Sequence, residues 1–234
     1  MTARTIFIGD LHACHDELSD LLEKVAYCRG DRVVSVGDVI VRGPEPHKTV
    51  ALLRSIGAVA VRGNHEDRVL RYLDSLAGIV RTQASEQTKA AAHALTEEDV
   101  AWLRSLPLWL DFPDHRVRVV HAGVLPDVPI EKQAPEVLMT IRCIGKNGRP
   151  VAKREGPVWG RLYNGPPHVV FGHNARPEPQ IWASATGIDT GCVYGGHLTA
   201  MVLPNGQIPP PKSERLNVLV GVRARKVYMP VRSP

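Results

Sequence analysis

TIFIGDLHACHDEL (residues 5–18) decides the fold. Thr5–Ile8 is a short β-type apolar run that stops at Gly9-Asp10-Leu11-His12, and Leu18, Leu21, Leu22 and Val25 then recur at helical spacing. Four more apolar runs meet a glycine beside a metal-binding side chain. Val33–Val36 ends in Gly37-Asp38, Val59–Val61 leads to Arg62-Gly63-Asn64-His65-Glu66, Val117–Val120 ends in His121-Ala122-Gly123, and Val169–Phe171 ends in Gly172-His173. Pro44 is placed to open a second helix carrying Val50, Leu53 and Ile56. The first three runs therefore read as βαβαβ. Parallel strands joined by right-handed crossovers collect their functional groups outside the strands' carboxyl ends, so all five polar clusters should converge there.

Elsewhere the pattern is less regular. Leu70, Leu73 and Leu76 continue a helix after Asn64-His65, Arg81–Ala94 is polar and alanine-rich, and Thr96-Glu97-Glu98-Asp99 resembles a capping box opening a helix through Trp102 and Leu106. Prolines and glycines crowd residues 125–167, which predicts a cap-like insertion over the strand ends within a single domain spanning 1–234. Gln180–Ala183, Leu198–Leu203 and Leu216–Val222 read as strands of a second, more antiparallel sheet, with Asn205-Gly206 as a hairpin signal.

The 234 residues are 44% hydrophobic and 23% charged, which excludes disorder, collagen and coiled coil. A net charge of +5 is too mild to indicate nucleic-acid binding by itself. No apolar run approaches the roughly 18 residues of a membrane span, and the N-terminus lacks a signal-type apolar region, so a cytoplasmic location is expected. Cys14, Cys28, Cys143 and Cys192 form no CxxC pair and read as reduced thiols rather than a disulfide framework or zinc ribbon.

The donor set narrows the chemistry. Asp10, His12, Asp38, Asn64, His121 and His173 offer oxygen and imidazole ligands with no thiolate, which disfavours structural zinc and iron–sulfur clusters. Three histidines disfavour calcium or magnesium cages. Six donors exceed the need of one ion and suit two divalent ions, manganese first, with iron, cobalt or zinc as alternatives.

Taken together, GDLHACHDEL (9–18), GDVIVRGP (37–44), GNHE (63–66), HAG (121–123) and GH (172–173) resemble the calcineurin-like metallophosphoesterases, in the branch containing the phosphoprotein phosphatases. GIDTGCVYGGHLTA (187–200) and the absence of aspartate in VRGP are most similar to the bacterial symmetrical bis(5′-nucleosyl)-tetraphosphatases and their relatives. The resemblance implies an α/β fold: a two-layer sandwich of mixed β-sheets flanked by helices. It implies Asp10, His12, Asp38 and His173 as metal ligands with Asp38 bridging, and Asn64 and His121 completing the second ion's set. It further implies His65 as general acid, Arg42 as a phosphate clamp at the start of the Gly43-Pro44 helix, Arg142 as a second clamp and Tyr194 as an aromatic lining the site.

Two departures from the family pattern stand out. Ala13 replaces the usual glycine, which is tolerable at negative φ. Val41 replaces the aspartate that orients the catalytic histidine in the protein phosphatases, which predicts weak general-acid assistance by His65.

The expected reaction is in-line attack by a hydroxide held between two ions, most simply the symmetrical cleavage of diadenosine tetraphosphate to two ADP. A Ser/Thr/Tyr phosphoprotein phosphatase and removal of a nucleotide cap from RNA 5′ ends are the alternatives. For substrate capture, residues 141–163 carry Arg142, Lys146, Arg149, Lys153, Arg154 and Arg161 against Glu155. Such a cationic segment would attract a polyanion, with Trp159 and Tyr163 available to stack on a base. Arg223, Arg225, Lys226 and Arg232 read as solvated surface.

Overall fold

The computed structural model describes residues 3–230. Its elements in chain order are β1 (Arg4–Ile8), α1 (His15–Lys24), β2 (Arg32–Ser35), α2 (Pro46–Ser55), β3 (Val59–Ala60), α3 (Asn64–Leu76), α4 (Glu86–His93), α5 (Glu97–Ser105), β4 (Trp109–Phe112) and β5 (Val117–Val120). They continue with α6 (Pro135–Thr140), β6 (Cys143–Ile144), β7 (Pro150–Val151), α7 (Trp159–Leu162), β8 (His168–Phe171), β9 (Gln180–Ile181), β10 (Ala185–Gly187), β11 (Asp189–Thr190), β12 (His197–Pro204) and β13 (Leu219–Arg223).

Two mixed sheets make the sandwich. One runs β11-β12-β1-β2-β3 with β13 paired to β12, and the other runs β4-β5-β8-β10-β9. As the βαβαβ pattern predicts, β1, β2 and β3 are parallel neighbours. The layer between the sheets is built from Phe7, Val34, Val36 and Met201 of one and Phe112, Val117, Val119 and Val170 of the other. Helices α1, α2, α3 and α5 cover the outer face of the first sheet, where Leu18, Leu21, Val50, Leu53, Val69 and Leu103 are buried with Ile6 and Ile8.

Four expectations need correction. The second helix opens at Pro46, not Pro44, because Pro46 occupies its first turn behind Glu45; Arg42 is therefore not at a helix N-terminus. Of the three later strands expected in the second sheet, only Gln180–Ile181 (β9) joins it, antiparallel to β10, since β12 pairs antiparallel with β1 and β13 extends that edge. Asn205-Gly206 turns the chain, but a 3₁₀ segment at Lys212–Val218 intervenes before β13, so the connection is no tight hairpin. The second sheet is mixed, with β8 parallel to both β5 and β10. Thr96 and Asp99 do form the expected reciprocal cap. Arg225 pairs with Asp16 and Asp20, and Arg232 lies outside the described residues.

Candidate functional site

Five loops at the ends of β1, β2, β3, β5 and β8 bring Asp10, His12, Asp38, Asn64, His65, His121 and His173 together. Asp38 is the hub. Its Oδ2 lies 3.3 Å from His121 Nε2, 3.8 Å from His12 Nε2 and 4.0 Å from His65 Nε2. Two groups able to hold an ion, His12-Asp38-His65 and Asp38-His121-His173, share that carboxylate. Asp10 is held by the backbone N–H of His173, which approaches both its oxygens at 3.0–3.1 Å, and Asn64 Oδ1 lies 3.3 Å from His121 Nε2.

The imidazoles are oriented from behind. His121 Nδ1 meets the Val36 carbonyl at 2.9 Å and His12 Nδ1 meets the Ile40 carbonyl at 3.4 Å, so each ring presents Nε2 to the site. His173 Nε2 is buried and has no hydrogen-bond partner among the described residues. Burial pushes the Asp10 carboxyl well above its usual range, reinforced by Asp189 and Asp38. Burial also opposes the Asp38 charge, yet His121 and His65 outweigh it and hold that carboxyl well below its usual range. Crowded buried carboxylates, Nε2 atoms turned inward and an orphaned imidazole nitrogen fit two divalent cations.

The loops are strained where they converge. His12, Ala13, Asp38, Val41, Arg42 and His173 all have φ between +46° and +75°. Ala13 sits at +60°, so the expectation of a negative φ there is wrong: the chain carries a Cβ in the left-handed region. Glycine is required at Gly172, where an added Cβ would collide with Asp10 Oδ1, and at Gly63, where it would collide with Asp38 Oδ1 and the Asp38 amide.

Two residues without an expected role are part of this framework. Glu66, one turn into α3, accepts from the backbone N–H groups of Gly63, Asp38, Val39 and Ile40 at 2.8–3.3 Å, tying the β2 and β3 loops together. Its position three residues after Gly63 is a capping signal visible in the sequence. Asp189 in the DTG segment is buried beside Asp10 and Asp38, and burial first, then Asp38, raises its carboxyl to about 6.

The substrate-side residues divide. Arg42 stacks over Tyr194 with its guanidinium carbon 5.5 Å from the ring centroid, and its NH1 reaches His12 Nε2 at 2.8 Å. One nitrogen cannot serve both Arg42 and a metal, so an ion held by His12 Nε2 would displace the Arg42 guanidinium from it. Arg142 borders the site and donates to the Ala152 and His173 carbonyls. His65 Nδ1 is buried without a partner among the described residues, and Val41, which lines the same part of the cleft, is buried and apolar. Burial lowers the His65 imidazole to about 4.

Base stacking by Trp159 is overturned. Trp159 is fully buried, donates to the Ala122 carbonyl at 2.9 Å and packs on Phe171 at 4.8 Å, which makes it a core anchor. Tyr163 packs against Trp159 and spends its hydroxyl on the Pro167 carbonyl. Of the cationic segment, only Arg142 and Arg154 line the cleft.

That cleft has two arms that share Arg42, Asn64, His65, Arg68, Gln87 and Thr140. One, of about 810 Å³, runs towards Arg71, Asp67 and Glu136; the other, of about 820 Å³, runs towards Arg142, Arg154 and Arg176.

Comparison with known proteins agrees with this geometry. A family profile described as calcineurin-like phosphoesterase matches residues 3–206. The asymmetrical bis(5′-nucleosyl)-tetraphosphatase PrpE of Halalkalibacterium halodurans is 31% identical over 219 residues, covering 84% of this chain and 89% of that protein. PrpE of Bacillus subtilis, named for the same activity, is 29% identical over 225 residues, covering 84% of this chain and 89% of that protein. A crystal structure of a candidate diadenosine tetraphosphatase superposes with a TM-score of 0.81 at 32% identity, covering 96% of this chain and 95% of that one.

Proposed function

The chain belongs to the calcineurin-like phosphoesterase family, and from that premise we propose that it hydrolyses the phosphoanhydride chain of a dinucleoside tetraphosphate. The observation that carries this reading is the two-armed cleft meeting at Arg42, Asn64 and His65, which offers a separate place for each nucleoside on either side of the reacting phosphate.

Asp10, His12 and Asp38 would hold one divalent ion and Asp38, Asn64, His121 and His173 the other, with manganese the first choice for these oxygen and imidazole donors. When bound, such a pair activates water and neutralises the phosphoryl oxygens. The chain's own residues do the rest. Arg42, braced on Tyr194, grips a phosphoryl oxygen, and Arg142 with Arg154 receives the outgoing polyphosphate. His65 donates to the departing oxygen, but with Nδ1 unpartnered and Val41 where a carboxylate would stand, it does so weakly. A phosphate leaving group, with a pKa of about 6, hardly needs that proton, whereas an alkoxide with a conjugate-acid pKa near about 15.7 does. Anhydrides are therefore favoured over serine or threonine phosphomonoesters.

The arms are unequally charged beyond the shared residues: Arg142, Arg154 and Arg176 line one together with Asp38 and Asp189, while a single arginine, Arg71, lines the other with Asp67 and Glu136. That asymmetry, together with the asymmetrical activity for which the PrpE relatives are named, favours attack on a terminal phosphorus. The products are then a nucleoside monophosphate and a triphosphate, in place of the two diphosphates expected from the sequence. The four free thiols accord with action in the reducing cytoplasm. Chromatography of products from Mn²⁺-supplemented diadenosine tetraphosphate tests the reading: AMP with ATP is expected, ADP alone would restore the symmetrical split, and no turnover would remove the dinucleotide.

A further inference from the structure

A second cluster of metal-type donors lies on the outer-helix side of the same loops and is not used by the phosphate site. Cys14 precedes the first residue of α1, Glu17 stands one turn into that helix, and Cys192 opens the 3₁₀ turn Cys192–Tyr194 that follows β11. All three are buried, with exposures of 0%, 0% and 1%. The two Sγ atoms and a Glu17 carboxylate oxygen all lie within 4.8 Å of one another.

The Glu17 carboxylate is the unusual member. Its Oε1 accepts from the Arg225 amide and the Tyr228 hydroxyl, each at 2.8 Å, but its Oε2 is buried with no hydrogen-bond partner among the described residues. Among the described residues no basic side chain pairs with it either, because the Arg225 guanidinium is taken by Asp16 and Asp20. A buried carboxylate oxygen without a donor or counter-charge is costly, and two thiols at its side are soft ligands that a divalent cation converts to thiolates.

We propose that Cys14, Glu17 and Cys192 form a third, structural metal site for a thiophilic divalent cation of the zinc type. Binding releases the two thiol protons to solvent and places two thiolates and one carboxylate oxygen on the ion, leaving one tetrahedral position to a solvent oxygen. Zinc–sulfur bonds of about 2.3 Å set the sulfurs about 3.8 Å apart, a separation that falls within the 4.8 Å spanned by these donors. The ion joins the loop carrying His12 to the turn carrying Tyr194, two segments that otherwise meet through packing. It differs in kind from the phosphate site, whose donors include no sulfur.

Cobalt(II) separates the two kinds of site, because only thiolate ligation gives an intense near-ultraviolet charge-transfer band. Anaerobic titration of the reduced full chain carrying Asp38→Asn, which impairs the phosphate site, should produce that band and saturate it at one cobalt per chain. Cys192→Ala and Cys14→Ala should each abolish it, Glu17→Gln should weaken cobalt affinity at least tenfold, and Cys28→Ser should change nothing. Zinc should displace the cobalt, erase the band and raise the melting temperature. No band in the parent protein, or a band that survives in a folded Cys192→Ala variant, overturns the site. Should Cys192→Ala not fold, loss of the band in Cys14→Ala and the Glu17→Gln affinity decide the question. None of these readouts depends on which phosphate substrate the enzyme takes.

Discussion

Two buried polar clusters in this molecule are built on opposite terms. Behind β8 and β10, His168 Nε2 lies 2.9 Å from Thr186 Oγ1, and Arg215 reaches both, while its Nε donates to the Pro210 carbonyl at 2.7 Å. Partners there are found and the backbone is relaxed. At the carboxyl ends of β1, β2 and β8, carboxylates crowd, His65 Nδ1 and His173 Nε2 are orphaned, and six non-glycine residues hold left-handed φ. Each such residue costs on the order of 1–3 kcal/mol unless its surroundings enforce it. The first cluster reads as stability and the second as stored function, so substitutions should divide along the same line.

The largest effect is expected at Asp38. Asp38→Asn removes the carboxylate shared by both ion groups, and turnover should fall about 10³-fold or more. The metal-free variant should melt lower than the parent, since His121 and His65 hold the Asp38 charge favourably in the folded chain. A variant with near-parental turnover would contradict the hub role. Next, Arg42→Ala should reduce kcat/KM by about 10–10²-fold, the loss of a charge-assisted clamp, with melting unchanged. An equal loss in melting and in kcat/KM would make Arg42 structural.

Arg215→Ala tests the opposite pole. It should cost about 1–3 kcal/mol of stability and leave kcat/KM intact. The same cluster gives a pH signature. Burial, then Arg215, holds His168 near about 3, so the folded chain stays neutral there while the unfolded chain protonates. Stability contributed by the neutral ring is present above the unfolded pKa of 6.5 and is lost as pH falls towards 3. Denaturant melts between pH 7 and 4 should show that loss, shallower in His168→Gln. The smallest effect is at Ala13: glycine at φ +60° should stabilise by about 1 kcal/mol, whereas a destabilised Ala13→Gly would mean the Cβ contributes packing that outweighs strain.

What could be read from the sequence follows from how local each determinant is. All five strand-to-loop junctions were visible because an apolar run, a glycine and a donor are contiguous, and the α5 cap was visible for the same reason. The pairing of β12 with β1 was not, since nothing in Leu198–Leu203 states which sheet it joins. The helix start slipped from Pro44 to Pro46 because either proline satisfies the same local rule. Glu66 and Asp189 were missed for another reason. Most of their work is long-range, on the amides of Asp38, Val39 and Ile40 for Glu66 and against Asp10 and Asp38 for Asp189, and only the Gly63–Glu66 spacing hints at any of it. Trp159 misled because an aromatic in a basic segment looks alike in sequence whether it faces a base or, as here, Phe171.

The central claim is that this site is tuned to phosphoanhydrides because His65 lacks a carboxylate behind it. It is tested most directly by kcat/KM for diadenosine tetraphosphate and for a phosphoserine peptide, measured side by side in the parent and in Val41→Asp. The account predicts that the parent prefers the dinucleotide and that Val41→Asp narrows the gap by up to about 10²-fold, chiefly through the peptide. A parent that prefers the phosphopeptide, or a Val41→Asp variant that improves both substrates equally, would contradict it.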